Sequence, residues 1–132
     1  SEHWAHQAAS RVPWSQVRDL YDVGSVFLFT SLRDSFGSQV LEALGRGLPT
    51  VALDHQGIAD LDVGLAAVKV PLPQRPSDLP ALLGSALREV LQGSSWPTRS
   101  AAARDWAAGH VWPAKAVEAT RIYEEVAGTR RP

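Results

Sequence analysis

Three short runs of apolar residues mark the positions of predicted strands. The segments SVFLFT (25–30), TVAL (50–53) and AAVKV (66–70) are almost continuously apolar and rich in β-branched or aromatic residues. Runs of this length and composition are typical of strands that are buried on both faces, as in a parallel sheet. The pattern therefore predicts three buried parallel strands.

Apolar residues at helical spacing lie between and after these strands. They predict five helices, the second of which runs from about Ser38 to Gly45. The alternation of strands and helices predicts an α/β fold, with a Rossmann-like parallel sheet flanked by helices. The predicted helices begin near Pro13, near Ser38, at Ser77 as N-cap, and after the breaks GSSWP (93–97) and GHVWP (109–113).

The chain of 132 residues, 45% of them hydrophobic, is long enough for one domain with a substantial core. Residues 1–12 carry little pattern, residues 13–127 form the predicted domain, and residues 128–132 form a tail. Nucleotide-binding α/β domains usually have about six strands, so three strands predict the C-terminal half of such a domain. A half sheet exposes a strand edge, which predicts self-association.

Composition narrows the classes of function. The net charge of -1 gives no electrostatic reason to expect a nucleic acid partner. No cysteine is present, so disulfides and thiolate metal sites are excluded. No apolar run approaches the roughly 20 residues needed to span a bilayer. We expect a cytoplasmic protein, with a peripheral membrane position left open, and a chain without methionine that begins at Ser1 is expected to be a piece of a longer one.

The segment SLRDSFGSQVLEALGRG (31–47) holds the strongest candidate site. It follows a predicted strand, and ligands of open parallel sheets bind beyond the carboxyl ends of the strands. The amides of Gly37, Ser38 and Gln39 start the helix and therefore have no intrahelical partners. Such a helix start favours an anion, most often a phosphate group.

Two carboxylates flank this helix start, Asp34 and Glu42. Glu42 lies one helical turn after Ser38 on the same face, where it can accept hydrogen bonds from two vicinal hydroxyls of a ribose. Asp34, in the loop, could contact a sugar hydroxyl or stabilise positive charge. A nucleoside diphosphate sugar has the matching order of ribose, diphosphate and hexose. A purely structural role also fits, in which Asp34 caps the turn, Ser35 is the N-cap and Glu42 interacts favourably with the helix dipole.

The stretch DSFGSQVLEALGRGLPTVAL (34–53) resembles a motif of retaining glycosyltransferases of the GT-B fold, in particular glycosyltransferase family 4 (group 1). The shared features are an acidic residue and a Glu separated by seven residues, the Phe-Gly pair, Glu-Ala and Gly-x-Pro. The resemblance covers roughly residues 11–127 and includes HVWPAKAVEATRIYEEV (110–126). It implies the C-terminal, donor-binding domain of a hexosyltransferase that acts with retention of anomeric configuration. The nucleotide-diphospho-sugar is the implied donor, and no cofactor or metal is required.

The resemblance also implies roles for individual residues. Asp34 would face the donor hexose near the reacting carbon, as the catalytic residue, and Glu42 would hold the donor ribose. The other implied donor contacts are Phe36, Gly37, Ser38, Gln39 and Gly57, followed by His55, Gln56 and Asp60.

The chain departs from the family pattern in two ways. Asp34 is one methylene shorter than the usual Glu. The family's basic pair for the diphosphate lies on the first strands of the C-terminal domain, for which this sequence shows no counterpart, and Arg33 does not match that position. The chain is therefore expected to need the N-terminal portion of the enzyme, and an unidentified acceptor, for sugar transfer. Two alternatives remain open: a non-catalytic α/β interaction module, and another GT-B enzyme such as a nucleotide-sugar epimerase.

Three of the five tryptophans, Trp96, Trp106 and Trp112, lie on or beside the C-terminal helices. Large aromatic side chains in such positions are typical of packing between helices. The pair His3 and His6 has no third ligand nearby in the sequence, so no metal site is expected.

Overall fold

A three-stranded parallel sheet flanked by helices forms the centre of the computed structural model, which describes residues 12–128. The predicted α/β, Rossmann-like arrangement is thereby confirmed, and the second helix has the predicted bounds. Most of the weakly patterned segment 1–12, and the tail after residue 128, lie outside the described residues. The elements are α1 (Trp14–Val23), β1 (Phe27–Phe29), α2 (Ser38–Gly45), β2 (Thr50–Leu53), β3 (Ala67–Val70), α3 (Leu79–Leu91), α4 (Trp96–Ala108) and α5 (Trp112–Gly128).

The strand order is β1-β2-β3, with every pair parallel. Thr50 in β2 lies opposite Phe27 on one side and Ala67 on the other. All four residues of β2 are buried, whereas β1 and β3 form the two edges. The connection from β2 to β3 contains only two short 3-10 turns, Gln56–Ile58 and Gly64–Ala66, and no α-helix.

The two faces of the sheet are covered by different helices, which gives three layers. On the first face, α2 packs over β1 and β2, and α4 packs against α2 and the turn Gly64–Ala66, with Leu44 and Ala103 fully buried. On the second face, α3 packs over β2 and β3, with Val51 and Val90 fully buried. Side chains alternate between these faces along each strand.

The prediction that β1 is buried on both faces is wrong. Phe27 and Phe29 pack against the first face of the core, but Leu28 between them is 43% exposed. The reason is the position of α3, which contacts β2 and β3 and leaves the second face of the edge strand uncovered.

The prediction of Ser77 as the N-cap of α3 is also wrong. Ser77 lies inside a 3-10 turn, Pro76–Asp78, and α3 begins one residue later, at Leu79. The cap position falls to Asp78, which makes no side-chain capping hydrogen bond. Pro80 in the first turn of α3 has no amide to be capped and a φ that already suits a helix.

The last helix, α5, contains no buried residue. Trp112 is 88% exposed, so the prediction that it packs between helices is wrong, because α5 leaves the α2 and α4 layer after the break at Gly109. Trp96 and Trp106 are half-buried, as predicted, and their indole N–H groups donate to the carbonyls of Ser25 and Asp62. Among residues 12–128, no helix has both the length and the apolar character needed to cross a membrane.

Candidate functional site

Two loops meet at the carboxyl ends of the strands, one after β1 and one after β2. The backbone N–H of Asp34 in the first loop donates to the Gln56 side-chain Oε1 in the second, at 2.8 Å. Gln56 adopts a φ of +50°, in the left-handed region that non-glycine residues rarely enter. Backbone strain of this kind persists only where the surroundings enforce it, and it is frequent at functional sites.

The Asp34 carboxylate holds the first loop in shape. Its Oδ1 accepts hydrogen bonds from the backbone N–H groups of Phe36, at 3.0 Å, and of Gly37. The turn-capping role is therefore present, but the N-cap of α2 is Gly37 and not Ser35. No group among residues 12–128 donates to the second oxygen, Oδ2, which stays available to a ligand.

Glycine is required at two positions where the loops pack together. Gly37 has a φ of +71°, and a Cβ there would lie 2.3 Å from the Ile58 Cδ1 atom. A Cβ on Gly57 would lie 2.2 Å from the Ser35 carbonyl oxygen. Both distances are far below van der Waals contact, so close packing of the loops is sufficient to explain both glycines. Contact of Gly37 and Gly57 with a ligand stays a prediction.

The predicted anion site at the start of α2 has fewer open amides than the sequence suggested. The Gly37 amide is already bonded to Asp34, and the Val40 amide donates to the Gly37 carbonyl at 2.8 Å. Ser38 and Gln39 are exposed and are the first two residues of α2, so no carbonyl one turn earlier accepts from their amides. Of the three amides predicted for the anion site, these two are the ones that are open to an anion.

Glu42 is half-buried and paired with a residue that the sequence analysis missed. The Tyr21 hydroxyl donates to Glu42 Oε2 at 3.1 Å and so connects α1 to α2. The pKa of Tyr21 is raised to about 12, first by burial and then by the hydrogen bond to Glu42 and by the negative charge of that carboxylate. Tyr21 itself was a signal for such a contact, because a partly buried tyrosine hydroxyl usually finds a polar partner. The Tyr21 ring is also fixed by an edge contact with Phe27, at 5.6 Å between centroids.

A pocket of about 620 Å³ lies between α2, the second loop, α4 and α5. Among the seven predicted site residues, only Phe36 and Glu42 line it, together with the further candidate Asp60. The remaining predicted residues lie outside this pocket: Asp34, Gly37, Ser38, Gln39 and Gly57. The structure thus separates a helix-start region from a pocket, where the sequence analysis had expected one continuous site.

The wall of the pocket formed by α4 and α5 is aromatic. Trp106 and His110 stack at 3.7 Å between ring centroids, with 13° between their planes. The Trp106 Nε1–H donates to the Asp62 carbonyl at 2.6 Å, and His110 Nδ1 bonds to the Trp106 carbonyl at 2.7 Å. Both rings are therefore held by hydrogen bonds as well as by stacking. Trp112 and Lys115 complete this wall from the first turn of α5.

Lys69 holds the loop that forms the opposite border of the pocket. Its Nζ donates to the carbonyls of Ile58, Ala59 and Leu61 at 3.3, 2.8 and 2.9 Å. A lysine ammonium has three donors, and here each finds a backbone acceptor. The sequence indicated that Lys69 has a special role, because it is the one charged residue in the otherwise apolar run AAVKV. Its neighbours in the sequence did not indicate which loop it would bind.

Within residues 12–128, no group of three or more His, Asp or Glu side chains is placed to hold a metal ion. The pair His3 and His6 lies outside the described residues. Two lysines near the pocket are engaged with protein groups, Lys69 with carbonyls and Lys115 with Glu118 at 2.9 Å.

The architecture defines a parallel α/β domain whose two loops at the carboxyl ends of the strands are locked together. Residues 5–62, a little under half of the chain, match the family model of glycosyl transferases group 1. No curated protein and no solved structure matches the chain significantly. The matched segment contains every residue predicted for the site, from Asp34 to Gly57, and it supports a relationship to group 1 glycosyltransferases.

Proposed function

We propose that the chain forms the donor-binding part of a glycosyltransferase. The enzyme would transfer a sugar of the hexose type from a nucleotide-diphospho-sugar to an acceptor, with retention of the anomeric configuration. One observation carries the proposal: Glu42 lies one helical turn from the open amides of Ser38 and Gln39, within the segment that matches the group 1 family. The carboxylate and the amides are complementary to a ribose and a diphosphate.

The diphosphate would bind at the start of α2. The amides of Ser38 and Gln39 are exposed, and the positive end of the helix dipole adds to their attraction for an anion. This arrangement supplies the charge stabilisation from backbone groups, so the proposal needs no metal ion.

The ribose would bind at Glu42. Oε2 accepts from Tyr21, while Oε1 receives no hydrogen bond from residues 12–128 and can accept one from a ribose hydroxyl. Tyr21 keeps the carboxylate in one orientation, so less freedom is lost when the ligand binds. This supports Tyr21 as a positioning residue for Glu42.

In the transfer step, the bond between the anomeric carbon and the diphosphate oxygen breaks, and its electron pair leaves with the diphosphate. The acceptor hydroxyl oxygen forms the new bond on the same face of the sugar, and its proton passes to the departing phosphate oxygen. Amides at the start of α2 stabilise the charge on the diphosphate. The open Oδ2 of Asp34 is the carboxylate oxygen that would face the positive charge on the sugar ring.

The test is an amide NMR titration of the chain with UDP, GDP and ADP and with their glucose or mannose conjugates. We expect shifts at Ser38 and Gln39 with one base, and about tenfold or more weaker binding in Glu42→Gln, which loses a charge-assisted hydrogen bond. Glu124→Gln, an exposed change on α5, is the matched control and should bind normally. Silence of both amides toward all these ligands would overturn donor binding by this chain.

A non-catalytic interaction module is the second candidate. The observation that favours it is that Asp34, Gly37 and Gly57 all have sufficient structural reasons within the packed loops. In that case Glu42→Gln would change the free energy of unfolding through the lost Tyr21 contact, and no nucleotide would bind to either protein.

A further inference from the structure

The pocket between α2, α4 and α5 differs in chemistry from the start of α2. We refer to it as the aromatic pocket, defined by Phe36, Trp106, His110 and Trp112 together with the carboxylates Glu42, Asp60 and Asp62. We propose that the aromatic pocket binds an uncharged saccharide. The inference goes beyond the proposed function and does not depend on it, because Asp34, beside which an acceptor would have to reach the donor hexose, lies outside this pocket.

Most of the polar side chains that line the aromatic pocket are hydrogen-bond acceptors. Glu42, Asp60 and Asp62 carry carboxylates, which accept but do not donate when ionised. His110 Nδ1 faces the Trp106 carbonyl and must carry the proton, because a carbonyl only accepts. Its Nε2 is therefore a further acceptor in the neutral ring.

The aromatic pocket has few donors, and some of them are already in use. The Trp106 indole N–H donates to the Asp62 carbonyl at 2.6 Å. The Lys115 ammonium gives one of its three donors to Glu118, at 2.9 Å. Acceptors therefore outnumber the open donors, and a ligand of this pocket must supply most of the hydrogen-bond donors itself.

Saccharide hydroxyls meet this requirement. Each hydroxyl can donate to a carboxylate, and a charged acceptor strengthens such a hydrogen bond. A nucleobase would bring carbonyl and ring nitrogen acceptors, for which the side chains of the pocket offer only the remaining Lys115 donors. A phosphate or a uronate would face three carboxylates and one paired lysine, so like charges would oppose its binding.

The aromatic rings provide the apolar surface on which a sugar ring can pack. Trp112 is 88% exposed and Phe36 is 56% exposed, and both lie at the edge of the pocket. Trp106 and His110 are fixed by stacking and hydrogen bonds, so little freedom is lost when a ligand contacts them. The volume of about 620 Å³ is within the usual range for small-molecule sites.

The experiment follows the indole N–H signals of the 132-residue chain by NMR during titration with methyl α-glucoside, maltose and maltotriose. We expect shifts at the signals of Trp106 and Trp112. The charged counterpart, methyl α-glucuronide, has the same ring with one carboxylate and should bind at least about fivefold more weakly at low salt. Added salt should narrow this difference, because it screens the repulsion.

Two variants locate the response on the protein. Trp112→Ala should weaken saccharide binding by about tenfold or more, as truncation of an aromatic contact does in binding sites. Trp112 is exposed, so this variant should fold normally. Tyr123→Ala is the matched control, since Tyr123 is 74% exposed on the same helix and does not line the pocket.

The outcomes separate this inference from the proposed function. If none of the three saccharides shifts the indole signals while a nucleotide shifts the Ser38 and Gln39 amide signals, the pocket proposal fails and donor binding stands. If the indoles respond and those amides stay silent, the pocket is a saccharide site and donor binding fails. Uridine shifting the indoles more than maltotriose does, or equal binding by Trp112→Ala, would overturn the pocket proposal.

Discussion

Tyr21 and Glu42 are joined by a 3.1 Å hydrogen bond from the Tyr21 hydroxyl to Glu42 Oε2, which links α1 to the helix at the centre of the candidate site. The two residues are 21 positions apart in the sequence. The hydrogen bond uses one oxygen of the Glu42 carboxylate and leaves the other open. Any ligand that binds Glu42 therefore meets a carboxylate whose orientation α1 has already set.

The first prediction concerns the pH dependence of stability. The pKa of Tyr21 is raised to about 12 in the folded protein, from an ordinary value of 10.0. Above pH 10 the unfolded chain loses this proton while the folded chain keeps it, so the Tyr21 contribution is complete below pH 10 and is lost toward pH 12. Urea unfolding at several alkaline pH values should show this loss in the wild type and not in Tyr21→Phe. Tyr123→Phe should behave as the wild type. If the alkaline loss of stability disappeared in Tyr123→Phe and not in Tyr21→Phe, it would not come from Tyr21.

The second prediction concerns Gly37. Gly37→Ala forces a left-handed φ on an alanine and brings its Cβ to 2.3 Å from Ile58 Cδ1, so we expect a loss of about 1–3 kcal/mol of unfolding free energy. Ile58→Val removes the Cδ1 atom, so the same glycine change should cost less in that background. Urea unfolding of the four proteins measures this coupling. Gly45→Ala is the control, because a Cβ there contacts nothing within 4 Å, and it should stabilise α2 by up to about 1 kcal/mol. Equal costs in both backgrounds would show that the contact with Ile58 is unimportant.

The third prediction separates the two roles of Asp34. Asp34→Asn keeps an oxygen at the Oδ1 position, so the bonds to the Phe36 and Gly37 amides should survive with less than about 1 kcal/mol of destabilisation. Asp34→Ala removes both bonds and should cost about 1–3 kcal/mol. Thermal or urea unfolding distinguishes the two. Asp54→Ala, an exposed change in the second loop, should be nearly neutral, and an Asn variant as unstable as the Ala variant would contradict the capping role.

The fourth prediction concerns Lys69. Lys69→Met keeps much of the apolar stem but leaves three carbonyls without their donor, which should cost about 1–3 kcal/mol. Relative to the wild type, hydrogen exchange should show a larger loss of protection at the amides of residues 58–62 than at those of α3, whose carbonyls Lys69 does not bind. Lys115→Met, an exposed change on α5, should leave both regions unchanged. Uniform loss of protection over the whole domain would argue against a local role.

The fifth prediction concerns the edges of the sheet. Self-association through an exposed strand edge, expected from the sequence, stays a prediction, and β1 with its half-exposed Leu28 is the edge to test. Sedimentation velocity over a range of concentrations should show association that Leu28→Lys reduces. A monomer at every concentration would contradict it.

Local features of the fold were predictable because their determinants are close in sequence. The helix Ser38–Gly45 was predicted because Gly37 precedes it and apolar residues recur along one face. The strand TVAL was predicted because the whole run is apolar and every residue in it is buried. These features depend on neighbouring residues alone.

Other features depend on which elements meet, and no local pattern contains that information. Leu28 is exposed because α3 stops short of the edge strand, although its neighbours look the same as those of a buried strand residue. The stacked pair Trp106 and His110 reaches the pocket of Glu42 from more than 60 residues away in the chain, so the sequence could not show that they share a site.

The connection from β2 to β3 contains no α-helix, and the carbonyls of its central turn are bound by Lys69 from the strand that follows. The loop and β3 are therefore a single exchangeable unit for protein engineering. A graft of residues 54–66 into another parallel sheet must include Lys69, because the carbonyls of the loop would otherwise lack their hydrogen-bond donor.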